Sequence, residues 1–115
     1  MSRFREATLE RAALIPSCRA DVWLWRARFF RTRALAAKAI EAGDVRLSSQ
    51  GASRMLEKPA TAIRPEDGLT IRLPARLPNG RAGAALRTVR VLALGERRGP
   101  AHDARALYAD LDHAP

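Results

Sequence analysis

The apolar positions of this chain change their period part-way along. From Asp21 to Gly43 they recur every three to four residues, the spacing of a helix face. Val22, Trp25, Arg26 and Phe29 share one helical stripe, and Trp23 and Phe30 lie seven apart on another. Asp21 is a candidate N-cap, so a helix of about three turns is expected to follow it. Aromatics at this spacing are more often core than platforms for stacking on bases. Trp25 and Phe29 are accordingly expected inside, and Trp23 or Phe30 is the ring expected to face outward. Thr32 can cap a second helix, "RALAAKAIEA", with Leu35, Ala36, Ala39 and Ile40 as its packing stripe and Gly43 as its stop.

Beyond Gly43 the pattern shortens to that of strands. "VRL" alternates, "SSQG" reads as a turn, and "TAI" leads through the "PEDG" turn into "LTIRL". "LPNG" marks a further turn, and "LRTVRVLAL" is the clearest strand. The tail "GPAHDARALYADL" predicts a last helix from about Asp103, with Leu107 and Leu111 at i, i+4 spacing. These elements make one α+β domain. Residues 1–16, which break at Pro16, are expected to form an N-terminal extension, residues 17–98 the domain proper, and residues 99–115 a C-terminal segment with a short helix.

Charge changes the picture more than length does. Lys and Arg number 21 against 12 acids, a formal net charge of +9, and this points to a polyanionic partner. All but Lys38 and Lys58 of these cations are arginines, whose planar forks match phosphates, although genomic base composition produces the same bias without a functional cause. Cys18 is the single cysteine, which excludes an internal disulfide and a zinc site with several thiolates. The most apolar window, "ALAAKAI", is short and carries Lys38, and the first residues hold Glu6 and Glu10. Neither a membrane span nor a secretion signal is expected, and the expected location is the cytoplasm.

Between Arg19 and Arg46 stand seven basic residues (Arg19, Arg26, Arg28, Arg31, Arg33, Lys38, Arg46) and three acidic ones (Asp21, Glu41, Asp44), a net of +4. Within it "RARFFRTR" contains no acid. On a continuous helix Arg28 and Arg31 are i, i+3 neighbours whose repulsion a bound phosphate would relieve. The N-terminus of the second helix offers amides from Thr32 to Leu35 to the same anion. A solvated basic face is the plainer alternative, but net charge and local clustering together favour phosphate binding.

Catalysis finds little support. Asp21 suits a cap and a partner for Arg19 better than an acid or base. Glu66 and Asp67 are adjacent in a turn, and Cys18 has only His102 and His113 for company, both in the tail. No phosphate loop, metal-spaced histidine set or nucleophile elbow is present, so no catalytic residue, cofactor or metal is expected.

Arg19 to Val45 resembles the RNA-binding domain named after small-subunit ribosomal protein S-four, also called the alpha-L motif. Arg19 and Asp21 match its opening, with Ala20 in place of leucine, and Leu24 matches its first-helix leucine. Thr32 and Arg33 match its corner, Ala36 and Ile40 its second-helix packing positions, and Gly43 and Val45 the turn into the first strand. "WLW" at 23–25, "ARFF" at 27–30, "TRALA" at 32–36 and the later "ERRGPAHDARALY" resemble the ribosome-associated heat shock protein 15 family in particular. Val22 stands where that family commonly has lysine, and Ser48 and Ser49 where it has an Asn-Gly turn.

The resemblance implies a two-helix alpha-L corner packed on a small, mostly antiparallel sheet. It implies binding to ribosomal RNA of the large subunit, with a role in recycling stalled subunits that carry a nascent chain on tRNA. The RNA-binding residues it points to are Arg19, Arg28, Arg31 and Arg33, supported by Thr32, Lys38, Arg46 and Lys58. The partners expected are the large ribosomal subunit, its RNA and the tRNA bearing the nascent chain, with no membrane and a monomeric protein. Two other readings stand beside it: a detached RNA-targeting domain of an RNA-modifying enzyme such as a pseudouridine synthase, or a basic module that binds an acidic protein.

Overall fold

Two helix ends of the same design shape the N-terminal half of the molecule. The computed structural model describes residues 16–111, so the expected N-terminal extension lies, apart from Pro16, outside the described residues. After a two-residue strand β1 (Cys18–Arg19), helix α1 runs from Ala20 to Arg26 and helix α2 from Arg33 to Glu41. At the end of α1 the Arg28 amide donates to the Trp25 carbonyl and the Phe29 amide to the Leu24 carbonyl, at 3.1 and 3.0 Å. At the end of α2 the Gly43 amide donates to Ile40 and the Asp44 amide to Ala39, at 3.1 and 2.9 Å. Both are Schellman stops, which need a left-handed residue just past the helix. Gly43 supplies it with φ of 83°, and Arg28, with no glycine available, supplies it with φ of 65°.

This stop corrects the first helix. It has seven residues, fewer than the three turns expected, and Phe29 and Phe30 lie beyond it. Its N-cap position is Arg19 rather than Asp21, which sits in the first turn.

The buried stripe of α1 is Ala20, Trp23, Leu24 and Ala27, at i, i+3, i+4 and i+7. Trp23 is therefore fully enclosed and Trp25 only half-buried, the reverse of the expectation. Phe30, the other ring expected outside, is also half-buried. The stripe through Trp25 contains Arg26, whose half-buried guanidinium donates to the Gly95 carbonyl, so the fold gives the inner face to the stripe that has no charge. In α2, Thr32 caps as predicted, its Oγ1 accepting from the Leu35 amide at 3.1 Å. Ala36, Ala39 and Ile40 are buried, but Leu35 is 46% exposed. Leu35 is five residues, about 140° around the helix, from Ile40.

The strands that follow are β2 (Val45–Ser49), β3 (Ala52–Met55), β4 (Ala62–Ile63), β5 (Gly68–Arg76) and β6 (Ala82–Val91), then helix α3 (Ala101–Arg105) and β7 (Tyr108–Asp110). The result is α+β, with an antiparallel five-stranded sheet in the order β3-β2-β5-β6-β7 and a ribbon of β1 with β4. Val45, Leu47, Leu69, Ile71, Val89 and Val91 form the sheet's inner face and join Trp23, Leu24 and Ile40 in one core. The Trp23 indole Nε1 donates to the Ala93 carbonyl at 2.9 Å, so its burial leaves no orphaned donor.

Two strands depart from the expected plan. Ser48 and Ser49 belong to β2, and the turn is Gln50-Gly51, with φ of 51° and 82°, the double left-handed geometry that suits a two-residue hairpin into β3. All four residues of β3 are exposed, so no alternation announced it. At the C-terminus the helix begins at Ala101 instead of Asp103 and ends at Arg105. Tyr108–Asp110 is a strand on β6, not a continuation of that helix. Asp110 takes the Arg87 guanidinium at 2.7 and 2.8 Å, and that guanidinium also covers the Phe29 and Tyr108 rings, 5.2 and 5.6 Å from their centroids. These contacts and the ladder of β6 outweigh one apolar i, i+4 pair. Among the described residues no helix is long and apolar enough to cross a membrane.

The two tryptophans separate the observed helix phase from the expected one. Trp23→Ala is expected to lower the unfolding free energy by about 3–5 kcal/mol and Trp25→Ala by less than half as much. Urea titration followed by circular dichroism measures both, and equal losses would contradict the assigned inner face.

Candidate nucleic-acid interface

The first turn of α1 is held by the loop before β4. The Ala20 amide donates to the Thr61 carbonyl at 2.9 Å and the Asp21 amide to the Pro59 carbonyl at 3.2 Å. Arg19 grips the Asp21 carboxylate with Nε and Nη2, at 3.0 and 3.1 Å, and the Val22 amide adds a bond at 2.8 Å. Asp21 is buried, so these three donors replace the water it has lost. Hydrogen bonding to Asp21 raises the pKa of Arg19, whose side chain stays half exposed beside the carboxylate it holds. Asp21 thus orients Arg19 as expected, though from inside the helix and not from its cap.

The loop carrying Lys58 completes this side. The Thr61 amide donates to the Lys58 carbonyl at 3.0 Å, closing a turn beneath α1. Arg54, Met55, Glu57, Lys58 and Thr61 surround an open hollow of about 500 Å3. Because β1 pairs with β4, Arg19 lies opposite Ala62, one residue beyond that hollow. Arg33 opens α2, and its charge reaches Cys18, the neighbour of Arg19. Burial pushes the Cys18 thiol above its usual pKa, Arg26 pulls it down, Asp21 pushes it up and Arg33 pulls it down. Arg31 and Thr32 are exposed in the connection just before Arg33.

Other arginines are committed to the fold. Arg26 Nη1 donates to the Gly95 carbonyl at 2.9 Å and approaches Cys18 Sγ at 3.6 Å. Arg98 Nε donates to the Trp25 carbonyl at 3.2 Å, a cation on the last turn of α1 where the helix dipole favours it. Arg28 Nε donates to the Gly99 carbonyl at 2.8 Å. Arg28 is outside α1, so the helical i, i+3 repulsion with Arg31 expected from the sequence does not arise.

The eight residues singled out from the sequence therefore separate. Arg31, Thr32 and Arg33 sit at the helix corner, Arg33's charge reaching Cys18 beside Arg19, and Lys58 lies in the loop that holds the first turn of α1, while Arg28 is turned to Gly99. Lys38 is exposed on α2 about 140° around the helix from Arg33. Arg46 lies on the sheet face away from the helices, opposite Met55 and Thr70 in the register. Of the amides offered at the α2 N-terminus, that of Leu35 is already taken by Thr32. Sequence reasoning missed Arg54. Its register opposite the buried Leu47 places it on the helix side of the sheet edge, a position invisible without knowing that β3 exists.

The cations at this corner outnumber their counter-ions. Among the described residues, Arg19 and Arg87 are the arginines in ion pairs, so Arg31, Arg33 and Arg54 present their charge to solvent. No cluster of metal-binding side chains occurs among the described residues. What the arrangement suits is a row of anions.

No family model matches the chain. Heat shock protein 15 of Escherichia coli K12 is 39% identical over 92 residues, covering 80% of this chain and 59% of that protein. The heat shock protein 15 homolog of Aeromonas salmonicida is 38% identical over 94 residues, covering 82% and 61%. A trimeric structure of Vibrio cholerae heat shock protein 15 superposes with a TM-score of 0.65 at 29% identity, over 84% of each chain. The chain is heat shock protein 15-like. It spans about three fifths of the length of these curated relatives, which are named for a heat shock response.

Two expected outcomes test the corner's geometry. Replacing Arg33 by alanine removes a cation that favours the Cys18 thiolate, so the pH at which iodoacetamide alkylates half of Cys18 in a fixed time moves upward, from a value already above that of a free thiol. No movement would place Arg33 away from Cys18. At the left-handed position, Arg28→Gly is expected to keep stability within about 1 kcal/mol and Arg28→Val to lower it by about 1–3 kcal/mol, read by thermal unfolding.

Proposed function

We propose that this protein binds ribosomal RNA non-catalytically through the helix corner, using Arg19, Arg31, Arg33, Lys58 and Arg54 as its principal phosphate contacts. The observation that carries the reading is an exposed arginine cluster at a bend in which five cations face two carboxylates, Asp21 bound to Arg19 and Glu57 in the adjoining hollow. RNA helices are recognised mainly by shape, phosphates and 2′-hydroxyls, for which a stiff basic corner is an appropriate reader. Thr32 acts through its cap, and Lys38 and Arg46 serve contacts away from the corner. Arg28 is a positioning residue whose remaining nitrogens face solvent.

The kinship with heat shock protein 15 supports a target on the large ribosomal subunit, and a task in recycling stalled subunits that hold a nascent chain on tRNA. On this reading the protein works in the cytoplasm and its demand rises with heat stress. A monomer is the acting unit proposed; the Vibrio cholerae relative, being trimeric, supplies the specific alternative.

Binding to isolated large subunits across a salt series tests the proposal. The Arg31→Ala/Arg33→Ala double variant is expected to bind more weakly and to lose roughly one unit of log–log salt slope per removed contact. Unchanged affinity and slope would exclude the corner as the binding surface.

A further inference from the structure

The sheet turns one face to the helices and leaves the other to solvent, and the outward face has a composition of its own. Register fixes which residues share it: Met55, Arg46, Thr70 and Thr88 lie in one row across β3, β2, β5 and β6. Ser53, Ser48, Gly68, Arg90 and Ala109 form the next row, and Arg72 with Leu86 the row on the other side. Arg46, Arg72 and Arg90 are all exposed, and none forms an ion pair among the described residues. Arg46 and Arg72 are diagonal neighbours on adjacent antiparallel strands, about 7–8 Å apart.

Beside Arg46 and Arg72 the acid is Asp44, and the turn that carries Glu66 lies next to the Arg90 end of the face. Asp44 lines a shallow hollow of about 160 Å3 with Arg46, Met55, Thr70, Arg72 and Leu86 but approaches neither guanidinium within ion-pair distance. Arg46 and Arg72 against Asp44 leave an excess of positive charge at this hollow, and Arg90 adds a third cation further along the same face. Arg46 and Arg72, diagonal neighbours within reach of one another's long side chains, repel each other until an anion covers them. The Met55 and Leu86 side chains, 41% and 65% exposed, flank the arginines with apolar surface of the kind that packs beneath riboses and bases.

We propose that the outward sheet face is a second RNA-binding surface, so that the protein lies between two RNA segments, one held at the helix corner and one against Arg46, Arg72 and Arg90. It rests on the RNA-binding reading of the corner. The two surfaces lie on opposite faces of the sheet and meet at its β3 edge, where Met55 lines both hollows. The second surface accounts for Arg46, which belongs to the basic set by sequence but points away from the other members. An acidic protein segment would also satisfy the charge; the spread of guanidinium groups over three strands, with hydroxyls of Ser48 and Thr70 between them, fits a phosphate chain better than one short acidic run.

Site-directed photo-crosslinking separates the outcomes. In a Cys18→Ser background, one variant carries Ser48→Cys on the outward face and another Ala34→Cys in the first turn of α2; both positions are exposed. Each cysteine is coupled to a short benzophenone reagent, bound to isolated large ribosomal subunits and irradiated, and the RNA nucleotides reached are mapped by primer extension. The expected result is RNA crosslinking from both positions, to nucleotides that do not overlap. RNA crosslinks from Ala34→Cys alone, with Ser48→Cys reaching protein or nothing, would overturn the second surface and leave the corner reading standing. No RNA crosslink from either position would overturn both. As an independent measure, Arg72→Gln/Arg90→Gln is expected to lower the salt slope by about one unit per lost contact with native unfolding behaviour, and an unaltered slope counts against the proposal.

Discussion

The burial of Trp23 determines where almost everything else points. With its indole enclosed and its Nε1 tied to Ala93, α1 cannot rotate, because any turn of the helix would break that bond and bring Arg26 or Trp25 against the sheet. The phase fixed in this way puts Arg26 and the Trp25 carbonyl beside the segment from 94 to 99, where Arg26, Arg28 and Arg98 exchange hydrogen bonds with it. It also aims the chain, after the left-handed turn at Arg28, into the connection that carries Arg31 and Thr32 outward. A buried aromatic thus sets the direction of exposed cations.

The same arrangement divides the arginines by task. Those on the C-terminal side of α1 spend their nitrogens on backbone carbonyls, which binds the C-terminal segment to the helix and makes one unit of elements distant in sequence. Arg87 does similar work further along, held by Asp110 and stacked over Phe29 and Tyr108. What remains for a ligand includes Arg31, Arg33 and Arg54 at the corner and Arg46, Arg72 and Arg90 on the outward sheet face. Net charge alone would have counted all of them alike.

Much of the corner was legible in the sequence for local reasons. A threonine ahead of an alanine-rich run and a glycine after it define α2 through capping chemistry that needs no tertiary information, and both behave as that chemistry requires. The phase of α1 was not legible, since tryptophans occupy two competing stripes and only the sheet decides between them. Nor could an arginine be recognised as the left-handed stop that glycine usually provides. β3 has neither alternation nor β-branched residues, and β7 is flanked by a leucine pair at helical spacing whose pattern yields to the open edge of β6. Arg54 was missed as a consequence, because a residue can be assigned a side of a sheet only after its strand and register are known.

The long hairpin of β5 and β6 has one more property. β2 pairs with β5 only as far as Ile71, and β7 meets β6 only from Val89 onward, so from Pro74 to Ala84 the two strands have each other and, among the described residues, no third neighbour. Mechanically this is a cantilever, clamped in the sheet at its root and free at the Leu77–Gly80 loop. A given twist at the clamp is magnified towards the tip, so Arg76 and Arg81 stand where the lever arm is longest and Arg46, Arg72 and Arg90 where it is shortest.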